Sequence, residues 1–275
     1  MPMIEADFTG RNATRLHMRS WHVDGARAAV VLVHGVNAHS GQQVWAGEQL
    51  AAAGFSAYAY DHRGRGRSEG SPRFYIDDIS DYTQDLGTFI ALVKAREPGK
   101  KVFVLGHSMG GVISCTWALD HQREIDGFIC ESFAFKVPAP APVLAIVRLL
   151  GRIAPQLPVL KLKMKDFTRD PVALRALEAD PLTLNEIQPA RTVAALLKAT
   201  DRMEREFDTL TLPLFILHGT ADRATVPAGS RQFHAAASSK DKTLKLYDGH
   251  YHDLLNDLGK EQVMADVVAW VSARC

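Results

Sequence analysis

An α/β fold built on a mostly parallel, doubly wound sheet is predicted by two features of the sequence. Its apolar runs are continuous rather than alternating, as in strands buried on both faces, and they alternate regularly with helical stretches. A third feature, the loss of that rhythm from Lys136 to about Asp208, predicts a helical insertion. The first buried strand is Ala28–Val33, closed by His34-Gly35. A helix follows from near Ser40, where Ser40-Gly41-Gln42-Gln43 has the form of a capping box, to Gly54 at its C-terminal cap. The run Phe55–Tyr60 is a second strand, and a helix runs from about Ile79 to Ala95, before Pro98-Gly99. Strand Val102–Leu105, a helix through Leu119 and strand Gly127–Cys130 continue the pattern. After the insertion it resumes with strand Leu214–Leu217, helix Ala228–Ala237, strand Leu244–Tyr247 and helix Glu261–Ala273. Ile4 to Trp21 supplies an antiparallel hairpin at one edge. The expected organisation is a core of residues 1–135 and 209–275 with a cap, residues 136–208, punctuated by eight prolines.

Composition narrows the class. The 275 residues are 47% hydrophobic and 23% charged, with a net charge of +1. That balance excludes disorder and a nucleic-acid footprint legible in total charge. No stretch reaches the ~20 apolar residues of a membrane span. Met1 to Gly10 carries Glu5 and Asp7 and no apolar h-region, so no signal peptide is expected. Cys115, Cys130 and Cys275 are too few and scattered for a disulfide framework or metal cluster. A cytoplasmic, enzyme-sized protein is the expectation.

Gly106-His107-Ser108-Met109-Gly110 is a G-x-S-x-G between a predicted strand and a predicted helix, the context in which that motif presents a nucleophilic serine. A serine hydroxyl needs a base. His252, in the loop after the last predicted strand, opens on the same sheet edge as Ser108; His250 is its rival. His34, His107 and His218 read as structural. Asp222, after the strand ending at Leu217, suits the orienting acid, with Asp61 and Glu131 as runners-up. Backbone N–H groups of Met109 and Val36 are the expected oxyanion donors. A base of this kind implies a rate that rises as an imidazole loses its proton.

These residues, with Asp61-His62-Arg63-Gly64-Arg65-Gly66, His39-Ser40-Gly41, Gly219-Thr220-Ala221-Asp222 and Asp180-Pro181-Leu182, resemble the monoacylglycerol lipase and lysophospholipase-like α/β-hydrolases over nearly the whole chain. The resemblance implies the α/β-hydrolase fold with a lid after the sixth strand, Ser108, Asp222 and His252 as the triad, and cofactor-free hydrolysis of single-chain acyl esters. Two stretches depart from the family pattern. Ala38, Gln42 and Gln43 stand where members carry an acidic residue and Arg-Tyr, and Cys130-Glu131-Ser132-Phe133 replaces small residues and proline. Acyl transfer to another acceptor, short-chain ester cleavage and a non-catalytic ligand-binding scaffold are the alternatives.

The cap is read as the substrate filter. Val143, Ile146, Val147 and Leu150 form an apolar stripe expected to line the acyl pocket, with Glu131 and Phe133 as further candidate pocket residues. Lys136 to Arg175 holds eight Lys/Arg and two Asp/Glu, a local +6. An apolar, basic cap suits transient contact with lipid aggregates or a membrane surface.

Overall fold

The computed structural model describes residues 2–275. Along the chain lie β1 (Ile4–Thr9), β2 (Arg15–Trp21), β3 (Ala28–Val33), α1 (Val44–Ala52), β4 (Ser56–Tyr60), α2 (Ser80–Arg96), β5 (Lys101–His107), α3 (Met109–His121) and β6 (Gly127–Glu131). Then come α4 (Ala141–Ile153), β7 (Pro158–Leu160), α5 (Pro171–Ala179), β8 (Gln188–Pro189) and α6 (Ala190–Glu206). β9 (Leu214–Gly219), α7 (Pro227–Ala236), β10 (Lys242–Tyr247) and α8 (Lys260–Ser272) complete it. The sheet order is β1-β2-β4-β3-β5-β6-β9-β10. β1–β2 and β2–β4 pair antiparallel and the remaining pairs are parallel.

Strand periodicity sorts β3 between two cores. Ala29, Val31 and Val33 face one cluster with Leu86, Phe89 and Ile113; Ala28, Val30 and Leu32 face another with Leu50, Val263 and Val267. Each fully buried aliphatic side chain contributes about 1.5–3 kcal/mol relative to exposure. The chain runs from β3 to β4 on one side and pairs with β5 on the other, so the loops after β3 and β5 open a crevice at the strands' carboxyl ends.

One local expectation fails. Ser40 does not cap a helix: residues Ser40–Gln43 form a 3₁₀ turn capped by His39, whose Nδ1 accepts from Gly41 N–H. The Ser40 hydroxyl and N–H instead donate to the buried Asp61 carboxylate. A side chain that far from the chain segment overrides the local signal.

The stretch between β6 and β9 is not packed as a separate body. Ala195, Ala199 and Met203 of α6 share the core that holds α3. Across it, α4 lies close to α6 because position 151 is glycine; a Cβ there would stand 2.6 Å from Ala194 Cβ.

Candidate active site

Ser108 sits between β5 and α3 at φ 56°, ψ −116°, a backbone state that L-residues hold only under constraint. The constraint is close packing: a Cβ on Gly110 would lie 2.0 Å from Val33 O, so only glycine lets the turn approach β3. Ser108 N–H donates to Glu131 O at 2.9 Å, which leaves the next N–H, that of Met109, for other use.

Ser108 Oγ lies 2.9 Å from His252 Nε2, and His252 Nδ1 lies 2.8 Å from Asp222 Oδ2. An ionised carboxylate only accepts, so Nδ1 carries the proton and Nε2 is free to accept from the serine hydroxyl. The Asp222 side chain is enclosed. Its Oδ2 also receives the Thr225 hydroxyl at 2.7 Å and meets His218 Nε2 at 3.0 Å; Oδ1 accepts Ala224 N–H at 2.8 Å and Thr225 N–H at 2.9 Å. Burial by itself raises the Asp222 carboxyl, but the charge of His252 and the hydrogen bonds from His218, His252 and Thr225 outweigh it and hold it far below the usual range. Burial keeps His218 neutral, so its Nε2–H donates to Asp222 and its Nδ1 accepts from the Ser230 hydroxyl. His250, the rival base, points elsewhere, with Nδ1 on Asp248 O. Asp61 is taken up by Ser40 and Arg67 N–H.

The loop after β3 is oriented by two histidines. Burial drives the His34 and His62 pKa values well down, so both rings are neutral. His34 Nδ1–H donates to Gly35 O at 2.8 Å while its Nε2 accepts His62 N–H at 3.0 Å. In a trans peptide C=O and N–H point in opposite directions, so fixing Gly35 O aims Val36 N–H the other way. Val36 and Met109 line the same cavity as Ser108 and His252. Neither N–H donates to another backbone group among the described residues. Both histidines belong to motifs the sequence made visible; their hydrogen bonds needed coordinates.

That cavity has a volume of about 520 Å³, within the range of about 300–1,000 Å³ that holds small ligands. Val143 and Val147 line it, joined by Leu144, Leu162, Leu196 and Leu197. Ile146 and Leu150 do not: the close α4–α6 crossing at Gly151 turns the Leu144–Val147 face inward and leaves Ile146, Leu149 and Ile153 more than half exposed. Phe133 is also absent from its wall, packed instead among Phe135, Phe207 and Phe233 below it. Phe167, unforeseen in the sequence, stands edge-on to the His252 ring with centroids 4.9 Å apart.

Glu131 likewise lies away from that cavity. Strand alternation sends Cys130 to one face and Glu131 to the other, where it lines a cavity of about 30 Å³ with Ala38, Gln42, Gln43, His107 and Asp253. Side-chain nitrogen and oxygen atoms of His107, Glu131 and Asp253 lie within 4.8 Å of one another, all buried. Burial, reinforced by the Asp253 charge and opposed by His107, pushes the Glu131 carboxyl up to about 7.

Residues 24–259 match the family described as serine aminopeptidase, S33. A monoacylglycerol lipase of Mycolicibacterium smegmatis is 34% identical over 270 residues, covering 97% of this chain and 96% of that one. The monoglyceride lipase of Homo sapiens is 30% identical over 265 residues, 94% of this chain and 87% of its own. The crystal structure of a Paleococcus ferrophilus monoacylglycerol lipase superposes with a TM-score of 0.83 at 29% identity, covering 100% of both chains. The likeness runs nearly end to end in sequence and in fold, and the chain belongs to the monoacylglycerol lipase family of α/β-hydrolases, a group of carboxylic ester hydrolases.

Proposed function

We propose that this enzyme hydrolyses single-chain acyl esters of the monoacylglycerol type, with Ser108 as nucleophile, His252 as base and Asp222 as its orienting acid. The observation that carries the reading is the Ser108–His252–Asp222 hydrogen-bond chain at the wall of a largely apolar cavity. Residues 136–208 act as the lid, since that stretch, with its loops as well as α4, β7 and α6, supplies most of that wall.

Ser108 Oγ attacks the ester carbonyl carbon as its proton passes to His252 Nε2. Asp222 stabilises the imidazolium, and Val36 and Met109 N–H groups receive the oxyanion. Collapse breaks the C–O bond to the alcohol, whose oxygen takes the proton from His252 Nε2, leaving acyl-Ser108. Water then loses a proton to His252 Nε2 and attacks the acyl carbon; the second intermediate expels Ser108 Oγ, which takes that proton back, and the fatty acid leaves.

Lys161, Lys163 and Arg223 stand on the cavity wall and support lysophospholipids, whose phosphate they would meet, as a second substrate class. The exposed Ile146, Leu149 and Ile153 beside the basic stretch support transient docking of the lid on a membrane surface. Three free cysteines, two of them buried, suit a reducing, cytoplasmic compartment.

The test is a rate survey over monoacylglycerols of graded chain length, lysophospholipids, short-chain esters and an aminoacyl anilide, with product analysis in the presence of a competing alcohol. Long-chain monoacylglycerols turned over fastest, free fatty acid as product, and loss of turnover with Ser108→Ala support the reading. Preference for the anilide, or activity that survives Ser108→Ala, overturns it.

A further inference from the structure

The loop that carries Val36 is held from two sides. From the body, His34 fixes the Gly35–Val36 peptide through Gly35 O. From the inserted stretch, Glu186 fixes the next peptide: Asn37 N–H donates to Glu186 Oε1 at 3.0 Å. The same oxygen accepts Gln188 Nε2 at 2.6 Å and is paired with the Arg65 guanidinium. Arg65 in turn donates to Gln188 Oε1 at 2.7 Å and to the Tyr82 hydroxyl at 3.1 Å. Arg65, Glu186 and Gln188 are all fully enclosed. Six residues before Glu186, Asp180 Oδ2 meets His39 Nε2 at 2.7 Å and accepts Gln42 Nε2 at 3.0 Å, a second tie to the same loop.

The geometry gives these ties something to do. Asn37 has φ 54°, a left-handed state that costs a non-glycine residue on the order of 1–3 kcal/mol and persists only when its surroundings enforce it. With the peptide before Val36 set by His34 and the peptide after it set by Glu186, both planes flanking Val36 are determined, and so is the direction of its N–H. Released from Glu186, Asn37 is free to relax and the donor to swing. We infer that Glu186, seconded by Asp180, is a positioning residue that aligns the oxyanion donor Val36 only while the 180–188 stretch is docked, so that the state of the inserted segment is transmitted to the transition state. This rests on the oxyanion role proposed above for Val36.

Removing Glu186 alone would strand the buried Arg65 charge and endanger the fold. Two double variants avoid this, because both lack the ion pair: Arg65→Met/Glu186→Gln keeps an acceptor for Asn37 N–H, and Arg65→Met/Glu186→Leu does not. Asp180→Ala, at a half-buried site, supplies a separate test of the second tie. Soluble ester turnover, affinity for a trifluoromethyl ketone that forms a tetrahedral adduct with Ser108, and thermal melts are measured on each. The expected result is a kcat about tenfold or more lower in the Leu pair than in the Gln pair, KM within about threefold, and ketone affinity falling in step with kcat; loss of one oxyanion donor outright is worth about 10²–10³. Asp180→Ala should lower kcat about threefold or more, again with little change in KM. Equal kcat in the two pairs, or a change confined to KM, overturns the inference; should the pairs not fold, an Asp180→Ala kcat equal to wild type overturns it. These failures leave Ser108→Ala inactive, whereas an active Ser108→Ala sinks the triad reading as well.

Discussion

Asp222 Oδ2 meets two imidazoles at once, His252 Nδ1 at 2.8 Å and His218 Nε2 at 3.0 Å. The carboxylate is therefore held by a neutral ring behind it while it orients the ring in front. Asp222→Asn presents an amide that satisfies His252 only in the wrong tautomer, with Nε2 protonated and unable to take the Ser108 proton. We expect kcat to fall about 10³–10⁴-fold with KM little changed, measured by steady-state turnover of a soluble ester. A loss below tenfold would remove Asp222 from the mechanism.

Gly110→Ala places a methyl group where Val33 O already stands, 2.0 Å away. Either β3 or the serine turn must shift, at a cost of about 1–3 kcal/mol. Urea unfolding should show the lower midpoint, and fluorophosphonate labelling of Ser108 should slow as the turn moves. An unchanged midpoint and labelling rate would contradict the packing described for this turn.

Glu131 titrates at about 7 in the fold, against an ordinary value of 4.5. A carboxyl whose folded pKa is raised stabilises the fold fully below its unfolded value, and that stability is lost as pH rises through the folded one. The groups facing it are His107 of β5 and Asp253 of the loop after β10. Glu131 should thus contribute a component of stability that declines between about pH 4.5 and 7, by on the order of 1–3 kcal/mol, set against the opposite rise from the buried, neutral His34, His62 and His218. Glu131→Gln, neutral throughout, should lack that component, so its stability relative to wild type should rise with pH across this range. Chemical unfolding from pH 4.5 to 8 measures it, and parallel curves for the two proteins would refute it.

Ile146, Leu149 and Ile153 are 57%, 54% and 69% exposed and line no part of the acyl cavity. Replacing all three by serine should weaken binding to anionic lipid vesicles about tenfold or more, since each large apolar side chain in the interface contributes roughly 1 kcal/mol or more. Turnover of a monomeric ester should stay within about twofold. Vesicle co-sedimentation that does not change would remove α4 from the proposed docking face.

Much of this arrangement is legible in the sequence because it is local. A run such as Ala28–Val33 states its own burial on both faces, and Gly106 to Gly111 states its own turn. The proposed triad follows from topology: once the strands are parallel, the loops bearing Ser108, Asp222 and His252 share one edge. What could not be read depends on partners far along the chain. Ser40 has the form of a cap, yet Asp61 claims it. The inward face of α4 is decided by what Gly151 meets on α6, and periodicity alone could not separate Val147 from Ile146. Glu186 gave no sign of its bond to Asn37, 149 positions away.

Ser108 and His252 are 144 residues apart, and the strand that delivers the histidine is the last in the sheet. During synthesis the hydroxyl and its turn emerge long before the His252 imidazole that meets them. On the proposed mechanism, a chain that has not yet docked β10 is expected to lack ester turnover.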